Sequence, residues 1–420
     1  MIVITIRLVG EKDDRLFEGF EIDNEILYID LKKEIQSITN IPIKFQQLKF
    51  RGGNIPMVER PIQAIKFGEE IVAMHIDLPW WEQYYKFANI VLKSGGERMK
   101  NANEAVRIYK KLLENGFFSV YHSFNLFQME KQHIIESWTD GNVKLMKEAT
   151  MNHFLQQHYK HGADDDTDFS CRFEVRPKDL GGSRKNTLAF VKLHGQKEET
   201  KFNIKCHHFG SSNSSSQGQV PDIKEIFCYK LLELIHVGPP VQFILPIKST
   251  GSKTSLYIAT RWNDNFIPLS RNTEKIIGVD ILVQILLLGT FLFVDDLHSE
   301  NCGFWKDTNK VAIVDFMPKS FFTFANVEQR FFKNDASVYW DMKYIDVLEA
   351  CDEETRLEAA RQSLKKWDLL SKIDIAYDEI KHKKDRLKKQ EHSPTEELEK
   401  YISTIKQNIN NLTEYLKVRE

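Results

Sequence analysis

Two carboxylates and an amide set the tightest limit on what this chain can become. Asp296-Leu-His-Ser-Glu-Asn301 is followed, after a short apolar stretch, by Asp315-Phe316. A carboxylate, an Asn later in the same loop and a second carboxylate beyond a strand supply one proton acceptor and two oxygen ligands for a hard cation. His298 lies in the same loop and is the second candidate catalytic residue beside Asp296. An isolated hexapeptide of this kind is commonly a surface turn whose Asp, Ser and Asn bond to backbone. The flanks argue against that here. The apolar run Ile281 to Val294 ends just before Asp296, and Lys310 to Val314 reads as a short strand ending just before Asp315. With Gln284 inside it and Asp280 at its edge, that run is too short to cross a membrane and reads as a buried helix delivering the loop.

Helix, polar loop, strand, carboxylate is an order that resembles the catalytic and metal-binding loops of the protein-kinase-like fold. It is nearest in form to phosphatidylinositol 3/4-kinases and to aminoglycoside or choline kinases. The resemblance implies ATP and Mg²⁺ as nucleotide and cofactor. It gives Asp296 the task of orienting and deprotonating an acceptor hydroxyl, and Asn301 and Asp315 that of holding the metal.

Such a fold needs a small β-rich lobe upstream, with a glycine-containing phosphate cover, a strand Lys and a helix Glu. Residues 172–176 and 187–192 read as strands around Leu180-Gly181-Gly182-Ser183, and 201–209 alternates as a third. Gly181 and Gly182 are the candidate phosphate cover, although a plain hairpin turn fits them equally. A helix over 222–235 follows, opened by Pro221 and stopped by Gly238-Pro239-Pro240. Lys205, ending the strand before that helix, and Glu225 upon it are the candidate ion pair, with Lys192 as competitor. Strands at 241–245 and 255–260 come next, and Thr260 and Arg261 fall where the resemblance puts the adenine-contacting linker.

Residues 1–78 carry a separate signature. Met1 to Leu8 alternates as a strand, Phe17 to Ile22 answers it, a helix starts at about Asn24 and stops at Ile41-Pro42, and strands follow at Gln46-Gln47-Leu48-Lys49-Phe50 and 70–76. This resembles ubiquitin throughout, which implies a β-grasp domain and a partner in the ubiquitin pathway or another protein. An intramolecular prop is the equal alternative. The last strand runs into Asp77-Leu78-Pro79-Trp80 rather than a free diglycine tail, so conjugation through that tail is excluded. Lys49 also puts a charge where ubiquitin's recognition face is apolar.

A chain of 420 residues with 42% apolar residues has enough for two or three cores. Its net charge of −2 gives no electrostatic case for nucleic acid. The scattered cysteines argue for reduced thiols, and no signal peptide precedes the Met1 strand, which implies a cytoplasmic or nuclear home. Toward the end, Ser393-Pro394-Thr395-Glu396 reads as a capping box. Leu398, Ile402, Ile405, Ile409, Leu412 and Leu416 form a coiled-coil-like seam that wants a partner, either the preceding helix as a hairpin or a second copy in a dimer.

The fold class expected is therefore α+β: a ubiquitin-like domain (1–78), a helical linker region (79–165), a kinase-like small lobe (166–262), a large lobe (263–370) and a helical tail (371–420). The function expected is phosphoryl transfer to a lipid, small-molecule or protein hydroxyl. The alternative is a catalytically weak kinase-like scaffold with an interaction domain, since Met317 replaces the Gly that usually follows Asp-Phe.

Overall fold

Alternation along Ile2–Leu8 (β1) turns Ile4, Ile6 and Leu8 inward, and the strand takes neighbours on both edges. It pairs antiparallel with Arg15–Ile22 (β2) and parallel with Glu70–His75 (β5). Gln46–Phe50 (β3) and Gly53–Asn54 (β4) extend the sheet, in the order β2-β1-β5-β3-β4. These contacts come from a computed structural model, which describes residues 1–10, 14–23, 25–55, 65–93, 97–122, 124, 132, 134–176, 185–208, 223–245, 255–271, 278–318, 342–387 and 394–418.

The helix Tyr28–Thr39 (α1) buries Leu31 and Ile35 completely, each contributing roughly 1.5–3 kcal/mol. It begins later than the sequence pattern indicates. A turn takes up the start of the segment, with the Ile26 N–H on the Asp23 carbonyl and the Glu25 N–H on the Asp23 side chain at 2.9 Å. Asn40 ends it in the left-handed conformation.

Met1–Lys144 forms one compact unit, and a second takes most of the chain from Leu145 onward. The first unit thus runs well past residue 78. Leu78–Leu92 (α2), Arg98–Glu114 (α3) and Phe117–Val120 (α4) bury Trp81, Tyr84, Ala105, Ile108 and Phe117 in the same core as β1, β5 and α1. A segment expected as linker is core because its apolar residues recur at helical spacing and have no other face to cover. The helix Asp140–Lys160 (α5) spans the boundary between the units.

In the second unit, Ser170–Val175 (β6), Asn186–Lys192 (β7), Thr200–His208 (β8), Val241–Ile244 (β9) and Ser255–Arg261 (β10) form an antiparallel sheet in the order β6-β7-β8-β10-β9. Ile223–Leu234 (α6) lies between β8 and β9 in the chain, and Gly238 returns its N–H to the Leu232 carbonyl at 2.9 Å to end it. Phe266–Pro268 (β11) leads on to Val279–Phe291 (α7), which is apolar all round and buried accordingly. Then come Val294–Asp295 (β12), Cys302–Trp305 (β13), Lys310–Ile313 (β14) and Met317–Pro318 (β15).

Met342–Glu349 (α8), Glu353–Trp367 (α9), Leu369–Leu387 (α10) and Pro394–Val418 (α11) complete this unit. Ser393 and the side chains of the supposed capping box lie outside the described residues. Leu398, Ile405, Ile409, Leu412 and Leu416 of α11 are buried in the same core as α6, α7 and α10. The seam is thereby covered from within, with Tyr377 of α10 donating to Glu399 at 2.9 Å, and the dimer expected as its alternative cover has no dry face left there. The whole is a mixed α+β structure with no closed sheet. Among the described residues no helix is long and apolar enough to cross a membrane.

Candidate functional site

Lys205 sits on β8, paired across to Ile258 and Asn186 in the middle of the second sheet. Its side chain, 13% exposed, reaches Glu225 on α6 at 3.3 Å and Asp315 at 2.6 Å. Glu225 is almost wholly buried and Asp315 about one-third exposed. An ammonium removed from water needs such partners, because an unpaired buried charge is far costlier than a paired one. Lys192, the competitor, ends β7 opposite Ser170 and makes no ion pair with Glu225 among the described residues.

Asp296 follows β12 at the end of the α7 turn. Leu297 packs closely on α7 there, its Cδ1 2.9 Å from where a Cβ on Gly289 would lie. Asp296 itself holds a left-handed backbone, φ 64°, a sparsely populated region for a residue with a side chain. Asn301 stabilises that geometry by donating its Nδ2 proton to the Asp296 carbonyl at 2.9 Å. In turn the Val314 N–H bonds the Asn301 carbonyl at 2.9 Å, and Cys302 pairs with Ile313, so the β13–β14 ladder fixes Asn301 beside the residues leading into Asp315. His298 accepts the Glu300 N–H on Nδ1 at 3.2 Å, which assigns its proton to Nε2, and Nε2 lies 3.7 Å from Asp296 Oδ1.

The electrostatics of the two carboxylates diverge. Partial desolvation and then the neighbouring Asp315 charge push the half-exposed Asp296 carboxyl above its ordinary value, which makes it a better proton acceptor once ionised. Burial also works against ionisation of Asp315, yet the charge and hydrogen bond of Lys205 outweigh it and hold that carboxyl below the usual range. Two carboxylates with environments that drive them apart can take separate proton and cation tasks. Burial, helped by Asp296, pushes the Cys302 thiol up, so it stays protonated and is no nucleophile.

All three donors to Asp315 fall on Oδ1: Lys205 Nζ, the Tyr229 hydroxyl at 3.0 Å and the Phe316 N–H at 3.0 Å. Among the described residues Oδ2 receives no hydrogen bond, and neither does Asn301 Oδ1. Two open hard oxygens suit Mg²⁺, which is commonly held by one or two protein ligands with phosphate oxygens and water completing the shell. No cluster of three or more His, Cys, Asp or Glu side chains is arranged for a metal among the described residues, so any cation here would depend on oxygens from its substrate.

Lys205, Glu225, Asp296, His298, Asn301 and Asp315 therefore share one neighbourhood. Thr260 and Arg261 make no hydrogen bond or ion pair to them among the described residues. Thr260 Oγ1 faces the Asn203 carbonyl, the Arg261 N–H is taken by the Pro240 carbonyl at 2.8 Å, and the Arg261 side chain lines a separate cavity of about 890 Å³. Gly181 and Gly182 lie outside the described residues. Sequence reasoning missed Tyr229, whose ring also packs on Phe316 at 4.4 Å between centroids. Its signal was its spacing: one turn beyond Glu225, it shares that residue's face of α6. Compared with known proteins, the chain matches no family model and no curated protein.

Proposed function

We propose that the chain is a kinase-like phosphotransferase, using ATP with Mg²⁺ to phosphorylate a lipid, small-molecule or protein hydroxyl. The observation that carries this reading is Lys205, held 3.3 Å from Glu225 and 2.6 Å from Asp315, whose charge is also felt by Asp296. A strand ammonium held by a helix carboxylate, beside a loop carboxylate that can take a cation, is the arrangement phosphate positioning requires. The strand order β6-β7-β8-β10-β9, with α6 between β8 and β9 in the chain, supports a small lobe, and α7 with its loop supports a large one. The order β2-β1-β5-β3-β4 around α1 likewise supports a ubiquitin-like fold for the start of the chain, with a protein partner as its proposed ligand.

On this reading Asp296 accepts the proton of the acceptor hydroxyl, its basicity raised by partial desolvation and by Asp315. His298 Nε2 faces the same carboxylate and helps to orient it. Lys205, kept in place by Glu225, would neutralise the phosphates, while Asp315 Oδ2 and Asn301 Oδ1 would hold the cation. Bound Mg²⁺ supplies charge neutralisation on the transferring phosphoryl group.

A catalytically weak scaffold is the second reading. What favours it is Met317, which pairs with Asp295 in the β12–β15 ladder where kinases usually place a freely hinged Gly. Thermal melting separates the two. ATP at a hundred times its dissociation constant should add roughly 2.7 kcal/mol to the native state. With Asp296→Asn, turnover measured with radiolabelled ATP and a panel of lipids, sugars and cell extract should fall by about 10²–10⁴ while the melting shift survives. With Asp315→Ala, the Mg²⁺-dependent part of that shift should vanish. No shift at millimolar nucleotide sinks the enzyme reading, and undiminished turnover in the Asp296 variant sinks the assignment of the base.

A further inference from the structure

We propose that Tyr229 is the positioning residue of the cation site, its hydroxyl fixing the orientation of the Asp315 carboxylate so that Oδ2 faces the metal. The inference deepens the kinase reading and rests on it.

Tyr229 and Phe316 are both almost fully buried, and their rings meet at 4.4 Å with an interplanar angle of 41°. That contact sets the phenol's direction. Its oxygen lies 3.0 Å from Asp315 Oδ1 and 3.4 Å from Lys205 Nζ. An ammonium only donates, so toward Lys205 the phenol oxygen is the acceptor and its single proton goes to Asp315. The hydroxyl is consequently a fixed link between the strand cation and the loop carboxylate.

Its importance grows once substrate binds. In the kinase reading, bound phosphates would compete with Asp315 for the Lys205 ammonium, and the shortest of the three bonds to Oδ1 would weaken. The Tyr229 hydroxyl and the Phe316 N–H then remain, and the backbone donor lies on the residue next to Asp315. Among the described residues, Tyr229 is then the donor that ties the carboxylate to a separate rigid element. Partners of this outer kind orient a ligand, and their removal typically lowers metal affinity about 10- to 100-fold.

The test is a titration of Mg²⁺ at fixed ATP, read as the melting shift, on wild type, Tyr229→Phe and Tyr229→Leu. Both variants lack the hydroxyl, while Phe keeps the ring against Phe316. The inference expects the Mg²⁺ midpoint to rise about tenfold in both. If ring packing is all that matters, Tyr229→Phe keeps the wild-type midpoint and only Tyr229→Leu moves it, which overturns the proposal. Lower melting at every Mg²⁺ concentration with an unmoved midpoint overturns it too. A wild type that shows no Mg²⁺-dependent shift fails the kinase reading itself, and that outcome is visible before either variant is compared.

Discussion

Each compact unit holds a lysine largely withdrawn from water, Lys32 in the first and Lys205 in the second, and these two are satisfied in opposite ways. Lys32 on α1, 9% exposed, donates to the carbonyls of Ile43 at 3.0 Å and Gln46 at 3.1 Å, with its ammonium over the Tyr28 ring. Lys205 instead meets two carboxylates. Neutral carbonyls bring no countercharge, so burial pulls the Lys32 pKa down, and the side chain acts as a clip joining helix to strand. Carboxylates supply countercharge, and one of them, Asp315, is open enough to exchange its partner for a ligand. A buried lysine is thus structural or functional according to whether its partners could serve anything else.

Substitution tests that contrast most sharply. Lys205→Met should abolish the nucleotide-dependent melting shift, a loss of roughly 2.7 kcal/mol at saturating ligand. It should also lower the unliganded stability by roughly 2 kcal/mol, because charge-assisted hydrogen bonds are lost. Lys32→Met should cost a similar amount, roughly 2 kcal/mol, by orphaning two carbonyls, and yet leave the nucleotide shift unchanged. Parallel melts of the two variants with and without ATP and Mg²⁺ decide the matter. Equal loss of ligand response in both would erase the distinction.

Acid gives a smaller effect that divides the units again. His75 is fully buried among Phe45 and Phe117, accepts the Asp77 N–H on Nδ1 and lies 3.2 Å from the Asn115 carbonyl through Nε2. Burial lowers its pKa, against the opposing pull of the Asn115 carbonyl and Asp77, and Lys111 is the other charge nearby, 3.9 Å from Asp77. The unfolded chain therefore takes up a proton that the folded chain refuses. Stability is full above about pH 6.5 and declines as pH falls through that value. Asp315 has the same sign in a lower window: its depressed pKa contributes stability that is lost only as pH falls through the ordinary carboxylate range, so mild acid leaves it untouched. Melting from pH 7.5 to 5.5 should drop in wild type and flatten in His75→Gln; an equally steep decline in the variant would assign the effect elsewhere.

Much of this was legible in the chain. The alternation of Ile4, Ile6 and Leu8 gives a strand, and the all-round apolar character of Val279–Phe291 gives a buried helix. The polar residues of 296–301 could be singled out because an apolar run and a strand flank them. Residues 79–144 were harder, because an amphipathic helix states that it needs cover without stating whose. Tyr229 was passed over for a related reason: an aromatic on a helix reads as core, and here the ring is core while the hydroxyl is not.

The sequence by itself determined which segments become strands and helices and which side chains could carry charge chemistry, since periodicity and residue type are local properties. Only the tertiary structure decided that Lys205, Glu225, Tyr229 and Asp315, drawn from a strand, a helix and a loop, share one hydrogen-bonded cluster. It also decided that the α11 seam is covered within its own unit. The physical reason is that burial and pairing are relations between distant segments, and desolvation acts on a charge only once the rest of the chain has closed around it.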